Sequence, residues 1–317
     1  MSDEALEELD LEEHRVAVTA EKAGSRLDKF LAEALGVPRH RTMDAIEAGQ
    51  VRVDGRRARK GDPVQAGQEV VARLAPPQSP PVPQPELPLR VIHEDPDFVV
   101  VEKPSGWPTH PLARGETGTL ANALVARWPE CAEASADVRE GGVAHRIDTP
   151  TSGLVVAARN RATWDELRRQ FSERSVRKEY LALAAGAVFG PVEVEVPIGS
   201  DPGTPGKART VAQERLLERK GAREAHTLVE VERRFPGWTL VRCTISTGVM
   251  HQIRVHLAHL GTPVAGDDLY GGARPEGLHR LFLHATRLGF THPRTGEALL
   301  FEAPLPPELQ SVLDALA

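Results

Sequence analysis

The stretch GGVAHRIDTPTSGLVV, residues 141–156, passes from small residues through a charged group to an apolar run. His145, Arg146 and Asp148 lie around a single isoleucine, and the polar residues 149–153 have the composition of a tight turn. The apolar run that follows predicts a buried strand. An aspartate in such a turn commonly does no more than cap it with its carboxylate. The stretch therefore predicts a core strand and leaves open whether Asp148 is structural or chemical.

The remainder of residues 89–317 predicts a domain of mixed α and β structure. Strand-like apolar runs include LRVIHEDPDFVVVEKP, which predicts two strands, and KEYLALAAG, AHTLVEVERRF, WTLVRCTI and LFLHATRLGF. Helix-like amphipathic runs include TLANALVARW, RATWDELRRQFSE, HQIRVHLAHLG and the closing PPELQSVLDALA. The strands outnumber the helices and do not alternate with them regularly. This pattern predicts an α+β fold, in which a mostly antiparallel mixed sheet has flanking helices, rather than a doubly wound parallel sheet.

A proline-rich segment, PPQSPPVPQPELP at residues 76–88, separates this domain from a smaller α/β domain in front of it. Proline restricts φ and favours an extended spacer. Residues 15–75 predict two short helices followed by a hairpin that turns at Asp54-Gly55. Five basic side chains cluster on the second helix and the hairpin: Arg39, Arg41, Arg56, Arg57 and Lys60. Such a cluster is typical of a face that contacts nucleic-acid phosphates, although a solvated surface has the same composition.

The net charge of the chain is −6, but the acidic N-terminus determines its sign. Residues 1–13 hold seven acidic residues and no lysine or arginine, so the rest of the chain carries about +1. We expect residues 1–14 to be a disordered acidic tail. The two cysteines match no metal or redox spacing, and no apolar run reaches the roughly 18 residues that span a bilayer. We therefore expect a cytoplasmic protein without a membrane segment.

The sequence contains partial matches to three kinds of functional site, and each match is excluded by missing motifs or by the spacing of its residues. HRID resembles part of a protein-kinase catalytic loop, but the sequence has no glycine-rich phosphate loop, strand lysine motif or D-F-G. GSDPGTPGKA lacks the spacing and the terminal Ser or Thr of a phosphate-binding P-loop. His251, His256 and His259 share one predicted helix, but their offsets do not form a metal-ligand set. We therefore expect neither a metal nor a cofactor.

Several motifs, in order along the chain, carry a family resemblance. EKPSG, HRIDTPTSGL, RKEYLAL, STGVMHQIRVHLAHLGTPVAGDDLYGG and LHA resemble the RluA/RluD-type RNA pseudouridine synthases over residues 89–305. Residues 24–74 resemble an S4 RNA-binding domain. The resemblance implies the pseudouridine synthase fold for the second domain. It also implies a reaction without a cofactor, in which a uridine in RNA has its glycosidic bond broken, its uracil rotated and a bond formed from C5 to the ribose.

The resemblance also assigns roles to single residues. Asp148 is the implied catalytic carboxylate, Arg254 pairs with it, and Tyr180 stacks on the target base. Whether Asp148 attacks the ribose, attacks the base or removes a ribose proton stays open. Arg146 is implied to enter the RNA when the uridine flips out, at a cost of roughly a few kcal/mol. The other residues expected at the substrate are His145, which packs or hydrogen-bonds, His251, Gln252 and Leu283, which lines an apolar wall.

One position departs from the family pattern T-G-R-x-H-Q-I-R, because Val249 stands where the first arginine is usual. The prediction is a pseudouridine synthase for structured RNA, in first place large-subunit ribosomal RNA. A transfer-RNA enzyme is the alternative within this class. A catalytically silent RNA-binding or ribosome-assembly factor is the alternative outside it, and the intact Asp148, Tyr180 and Arg254 argue against that. We expect a monomer whose partner is ribosomal RNA, transfer RNA or a ribosomal precursor particle.

Overall fold

The computed structural model describes residues 11–37, 39–59, 61–74, 79–113, 115–204, 206–211 and 222–317. The chain divides into two compact units, Met1–Pro77 and Gln78–Ala317, so the boundary lies inside the proline-rich segment. Within the described ranges, no helix has the length and apolarity needed to cross a bilayer.

The front unit is a four-stranded antiparallel sheet with two helices. Its elements are β1 (Glu12–Ala17), a 3₁₀ turn (Ala20–Lys22), α1 (Leu27–Leu35), α2 (Arg39–Glu47), β2 (Val51–Val53), β3 (Arg56–Arg57) and β4 (Glu69–Leu74), in the sheet order β1-β4-β2-β3. Leu27, Phe30 and Leu31 form one face of α1 and are buried in the core of this unit. The expected hairpin turn is present, since Asp54 and Gly55 have φ values of 48° and 76°.

The first strand begins earlier than the sequence predicts. β1 pairs with β4 from Glu12, opposite Leu74, to Ala17, opposite Glu69. The side chain of Glu13 lies 2.9 Å from Arg15 and 3.2 Å from Arg73. The expectation of a disordered tail over residues 1–14 is therefore wrong for residues 12–14, because the strand ladder and these ion pairs order acidic residues whose composition favours solvation. Residues 1–10 lie outside the described ranges.

The second unit contains a nine-stranded sheet with helices on both faces. Its elements are β5 (Arg90–Glu94), β6 (Phe98–Lys103), α3 (Leu120–Arg127), α4 (Cys131–Ala134), a 3₁₀ turn (Val138–Glu140), β7 (Ser152–Ala158), α5 (Arg161–Ser172), β8 (Arg177–Ala185), β9 (Pro191–Val194), β10 (Ile198–Ser200), β11 (Ala208–Thr210), β12 (Thr227–Phe235), β13 (Trp238–Ile245), α6 (Gln252–His259), β14 (Leu283–Thr291), β15 (Ala298–Glu302) and α7 (Pro307–Leu316). The sheet order is β5-β6-β7-β14-β8-β13-β12-β9, with β15 beside β14, and β10 and β11 form a separate hairpin. Among the described strand pairs, β7 and β14 run parallel and the others antiparallel. The predicted α+β class with a mostly antiparallel sheet is confirmed.

The strand after the HRID stretch lies in the middle of the core. Neighbouring residues of β6 point to opposite faces, because Val99 and Val101 pack with α3 whereas Phe98 and Val100 pack with α5. Every residue of β7 is buried. A strand buried on both faces loses the apolar–polar alternation, which explains why its sequence is a continuous apolar run. The charged turn before β7 is thus attached to one of the most rigid parts of the unit.

The second half of the proline-rich segment is held against the second unit. Gln84 Oε1 accepts a hydrogen bond from Gly118 N at 2.5 Å, and the Gln84 backbone N–H donates to the Asn122 carbonyl at 3.2 Å. The buried side chain of Asn122 donates to the Val82 carbonyl at 2.8 Å. Residues 82–84 of the predicted spacer over residues 76–88 are thus fixed by hydrogen bonds, and the spacer role stays a prediction.

Candidate active site

Asp148 lies in the turn that precedes β7, and its side chain is 22% exposed. The backbone of the turn closes through a hydrogen bond from Thr151 N to the Asp148 carbonyl at 3.0 Å. Among the described residues, no backbone N–H of the turn donates to the carboxylate, whose hydrogen-bond donor is Arg254. The structural interpretation, in which the Asp148 carboxylate only caps the turn, therefore fails, and the carboxylate is available for another role.

Gly153 determines how closely this turn approaches the neighbouring strand. It has a φ of 121°, and a Cβ there would lie 2.3 Å from the carbonyl oxygen of Ala285. Gly153 pairs with Ala285 at the start of the parallel β7–β14 contact. A side chain at this position would separate the two strands, so the glycine is required to keep the Asp148 turn against β14.

Lys103 fixes the turn from the other side. Its ammonium group is buried and donates to the carbonyls of Pro104 at 3.0 Å, Trp107 at 2.7 Å and Thr149 at 3.2 Å. The Thr149 carbonyl also accepts a hydrogen bond from Gly106 N at 2.8 Å. Burial lowers the pKa of Lys103 to about 7, and the negative charge of Asp148 opposes that shift. The sequence pointed to this residue through the EKPSG motif but did not assign it a role.

Arg254 is the buried cation of the site. Its Nε and Nη2 donate to the two oxygens of Asp267 at 2.7 and 2.9 Å, while its Nη1 donates to Asp148 Oδ2 at 3.4 Å. The side chain of Arg254 is 7% exposed and that of Asp267 is not exposed at all. Burial lowers the pKa of Arg254, but the hydrogen bonds and charges of the two aspartates outweigh it and raise the pKa. The guanidinium is therefore shared, and Asp267 holds it by the stronger, two-pronged contact.

Asp267 is the functional residue that the sequence interpretation missed. The prediction assigned Arg254 to Asp148 alone, and the structure corrects this to a triad of one arginine and two aspartates. Asp267 Oδ1 also accepts hydrogen bonds from the backbone of Leu269 at 3.2 Å and Tyr270 at 3.3 Å. The signal was an acidic pair, GDD, between apolar and small residues, where a buried acid needs a cationic partner.

Tyr180 lies beside this triad and is 7% exposed. It sits on β8 opposite Cys243 of β13 and Ala285 of β14, so the sheet positions it next to the Asp148 turn. Burial, and to a lesser degree the charge of Asp148, raises the pKa of its hydroxyl. The phenol therefore stays protonated at neutral pH, and its ring forms part of the apolar wall of the site.

His251 and Tyr270 close the other side of Arg254. His251 precedes α6 with a left-handed φ of 57°, and its Nδ1 lies 3.0 Å from the Tyr270 hydroxyl. The Arg254 guanidinium lies over the Tyr270 ring, 5.1 Å from its centroid. Burial lowers the pKa of His251. The predicted placement of His251 at the site agrees with this geometry, whereas Tyr270 was not singled out from the sequence.

Two residues expected at the substrate are used within the protein instead. Gln252 is buried, and its amide nitrogen donates to the His226 carbonyl at 2.8 Å while its amide oxygen accepts from Thr247 Oγ1 at 2.9 Å. The ring of His145 stacks on Phe171 at 4.6 Å between centroids, and burial lowers the pKa of His145 to about 3. The prediction of substrate contact is wrong for Gln252, because every polar atom of its amide bonds to the protein. His145 has the packing role that was expected of it.

The remaining predicted residues differ in exposure. Arg146 is exposed and forms no ion pair or hydrogen bond within the described ranges, so it is free to meet a ligand. Leu283 is buried in the core beside Tyr180, as expected of an apolar wall. Val249, which replaces the usual arginine, packs against the cluster that includes Ala208 and Val255. Val249 is thus half-buried in an apolar contact.

One member of the basic cluster of the front unit, Arg39, is held by a buried acid. Asp28 Oδ2 accepts hydrogen bonds from Arg39 Nε at 2.8 Å and Nη2 at 2.6 Å, and Asp28 Oδ1 accepts from Arg26 Nε at 3.1 Å. Burial favours the neutral acid, but the two arginines prevail and hold the pKa of Asp28 at about 2. Both guanidinium groups remain about half exposed. Arg39 is thus oriented by Asp28 while still facing solvent.

The other residues of the predicted RNA-binding face lie on α2 and the β2–β3 hairpin. Arg56 and Arg57 are exposed, and Arg41 is half-buried. The Arg57 guanidinium lies directly over Gly49, where a Cβ would come within 2.5 Å of it. Lys60 lies outside the described ranges. The described part of the face therefore presents several cations on one small unit.

The three histidines around α6 do not converge. His256 is buried, with Nδ1 2.8 Å from Thr227 Oγ1 and Nε2 2.9 Å from the Val196 carbonyl. Both of its nitrogens are therefore occupied by protein groups, and His251 contacts Tyr270 instead. This geometry agrees with the rejection of these histidines as a metal-ligand set.

Comparisons with known proteins give the same interpretation. The family model for RNA pseudouridylate synthase matches residues 97–259, and that for the S4 domain matches residues 25–70. The ribosomal large subunit pseudouridine synthase D of Xanthomonas campestris is 36% identical, and the match covers 100% of this chain and 96% of that protein. An uncharacterized RNA pseudouridine synthase of Chloroflexus aurantiacus is 39% identical over 98% of this chain and 96% of that one. The structure of human RNA pseudouridylate synthase domain containing 1 has a TM-score of 0.55 and 29% identity, and covers 71% of this chain and 87% of that one.

The fold and these matches place the chain among enzymes that modify RNA. It belongs to the RNA pseudouridylate synthase family, and an S4 domain precedes its catalytic domain. The predicted family is therefore confirmed.

Proposed function

We propose that this protein converts specific uridines of large-subunit ribosomal RNA to pseudouridine, with Asp148 as the catalytic carboxylate. The observation that carries the proposal is the unequal sharing of Arg254. Asp267 takes the two-pronged contact and is fully buried, whereas Asp148 keeps a single hydrogen bond at 3.4 Å and a partly exposed carboxylate. The choice of RNA is supported by similar proteins named ribosomal large subunit pseudouridine synthase D.

This arrangement suits each of the reactions that the carboxylate could perform. Attack on the ribose, attack on the base and removal of a ribose proton all need an ionised, oriented carboxylate. The hydrogen bond from Arg254 Nη1 to Oδ2 sets the orientation of the carboxylate. Oδ1 of Asp148 accepts no hydrogen bond from any residue that the structure describes, so this oxygen can reach the substrate.

Two further residues complete the reaction scheme. We expect the uracil to stack on the ring of Tyr180, which packs in the core cluster and is 7% exposed, while its glycosidic bond is broken. A uridine in a helix must first leave the stack, at a cost of roughly a few kcal/mol. The unpaired, exposed guanidinium of Arg146 can stack in the gap that the uridine leaves and offset part of that cost.

The S4 domain supplies binding rather than chemistry. Its exposed arginines contact phosphates, which provides affinity without reading the base sequence. We further propose that the protein acts as a cytoplasmic monomer on structured RNA.

The experiment that tests the proposed function is chemical mapping of pseudouridines in ribosomal and transfer RNA from cells with and without the gene. We expect positions in large-subunit ribosomal RNA to lose the modification in the deletion strain and to regain it with the wild-type gene but not with Asp148→Ala. Loss confined to transfer RNA would overturn the ribosomal target. An unchanged map, together with RNA binding by the purified protein, would favour the catalytically silent RNA-binding factor.

A further inference from the structure

The protonation state of His251 is determined by its neighbours. The Tyr270 hydroxyl has three polar contacts: the Ala208 N–H at 2.9 Å, the Ala208 carbonyl at 3.0 Å and His251 Nδ1 at 3.0 Å. The backbone N–H can only donate and the carbonyl can only accept, so the single phenol proton goes to the Ala208 carbonyl. The third contact must then be donated by Nδ1–H of His251. A neutral His251 therefore carries its proton on Nδ1 and a free lone pair on Nε2.

The imidazole that carries this lone pair lies at the active site, beside Tyr270 and Arg254. Among the residues that the structure describes, none donates a hydrogen bond to His251 Nε2, and the ring is half-buried. The charged groups that act on the imidazole are Asp148, Arg254, Asp267 and Arg146, which are the charged groups of the catalytic site. Burial lowers the pKa of His251, so the ring is neutral at physiological pH and can accept a proton.

Other side chains near Asp148 cannot serve as a base. Tyr180 keeps its proton because burial raises the pKa of its hydroxyl. The Lys103 ammonium is enclosed by three carbonyl acceptors, so its charged form is hydrogen-bonded in every direction. His145 Nε2 already accepts a hydrogen bond from Val156 N at 3.2 Å. Of the titratable groups described around the carboxylate, His251 combines a neutral state with an unoccupied acceptor.

The final step of the proposed reaction needs such a base. Once C5 of the uracil has bonded to the ribose, C5 carries both the new bond and its original hydrogen. Restoring the aromatic ring requires that this proton leave. The electron pair of the C5–H bond becomes the C5=C6 double bond, the C6=N1 pair moves to N1, and N1 takes up a proton from water. No oxidant or cofactor enters this balance.

We propose that His251 is the general base that removes the C5 proton, with Nε2 as the accepting atom. The assignment rests on the proposed function, because it needs a pseudouridine-forming site. The left-handed backbone at His251 and the Nδ1–H bond to Tyr270 hold the imidazole in one tautomer and one orientation. His251 thereby gains a chemical role that the family resemblance did not assign to it.

The test uses His251→Asn, which removes Nε2 and keeps the structural contacts. Asparagine tolerates the left-handed backbone conformation, and its side-chain nitrogen can donate to Tyr270 in place of Nδ1. Large-subunit ribosomal RNA is transcribed with ordinary uridine or with uridine deuterated at C5, and single-turnover rates are measured on both. We expect His251→Asn to be slower by about 10²–10⁴-fold, the usual range for the loss of general acid–base catalysis. We also expect a primary deuterium isotope effect larger than that of the wild type, because C5 deprotonation becomes limiting.

Two control variants separate chemistry from structure. His110→Asn alters another half-buried histidine. The charges of Arg146 and Arg139 act on the His110 ring, whereas the charge of Asp148 does not, so this variant should leave the isotope effect unchanged. Tyr270→Phe removes the partner that orients Nδ1 but keeps Nε2, so it should raise the isotope effect less than His251→Asn does. A slow His251→Asn variant without a raised isotope effect, or a variant as fast as the wild type, would overturn the assignment. Failure of the proposed function would look different, because the wild-type protein itself would then form no pseudouridine.

Discussion

The same chemical change at the two aspartates of Arg254 should have opposite consequences. Asp148→Asn removes a carboxylate that is 22% exposed and receives one hydrogen bond at 3.4 Å. Asp267→Asn removes a carboxylate that is fully buried and receives two hydrogen bonds from Arg254, at 2.7 and 2.9 Å, and two more from backbone N–H groups. We expect the first substitution to abolish pseudouridine formation with little loss of stability. The second should reduce the free energy of unfolding strongly while leaving part of the activity.

The magnitudes follow from burial. Removing one partner of a buried ion pair costs about 3–5 kcal/mol, because the remaining charge is left without compensation. Asp148 remains beside Arg254 in the Asp267→Asn variant, so we expect the lower end, about 3 kcal/mol. The Asp148–Arg254 pair is partly exposed and has one hydrogen bond at 3.4 Å, and Arg254 keeps Asp267 in this variant, so Asp148→Asn should cost less than Asp267→Asn, on the order of 1 kcal/mol. For a domain of this size, 1 kcal/mol corresponds to a shift in Tm of about 2–4 °C, which predicts a fall of about 6–12 °C for Asp267→Asn.

Thermal unfolding of the full chain and single-turnover pseudouridine formation are measured on both variants. Arg146→Ala serves as a control for stability, since its exposed side chain has no partner among the described residues. An Asp267→Asn variant as stable as the wild type would refute the sharing of Arg254 described here. So would an Asp148→Asn variant destabilised as strongly as Asp267→Asn.

Three further predictions concern packing, acid stability and RNA binding. His284 is buried with its pKa lowered to about 4, so between about pH 6.5 and 4 only the unfolded chain binds a proton there. The free energy of unfolding should therefore fall as the pH is lowered, by about 1.4 kcal/mol per pH unit. Urea midpoints should depend less steeply on pH in His284→Asn than in the wild type, whereas His279→Asn, at an exposed site, should not differ from the wild type. Gln252→Leu should cost about 2–4 kcal/mol because it leaves buried partners of the amide unsatisfied, and a Tm shift under about 2 °C would contradict this. Arg56→Ala should lower the slope of log K against log salt by about 0.7–0.9 in a titration with ribosomal RNA, and an unchanged slope would exclude a phosphate contact at Arg56.

Local chemistry made much of the fold predictable. The hairpin at Asp54-Gly55 and the central strand β7 follow from turn residues and from apolar runs, which depend on near neighbours only. The start of β1 at Glu12 did not follow, because its order comes from pairing with β4, which begins more than fifty residues later. Long-range pairing of this kind can override an acidic composition that by itself favours disorder.

The residues of the candidate site that belong to a recognisable sequence motif could be predicted. Contacts between residues that come together only when the chain folds could not. The family resemblance brought Asp148, Arg254 and Tyr180 together, and the structure places all three in one cluster. Asp267 was missed because its pairing with Arg254 depends on how the segment after α6 folds back. Gln252 was misassigned because a polar residue inside a motif suggests ligand contact, whereas its amide bonds to protein groups on several sides.

The most direct test of the central claim uses purified protein and a transcript of large-subunit ribosomal RNA without modifications. Pseudouridine is mapped after incubation with the wild type and with Asp148→Asn, and binding of both proteins to the RNA is measured in parallel. We expect pseudouridine at discrete positions with the wild type and none with Asp148→Asn, at similar RNA affinity. Pseudouridine formation by Asp148→Asn at a rate comparable to the wild type would show that Asp148 is not the catalytic carboxylate.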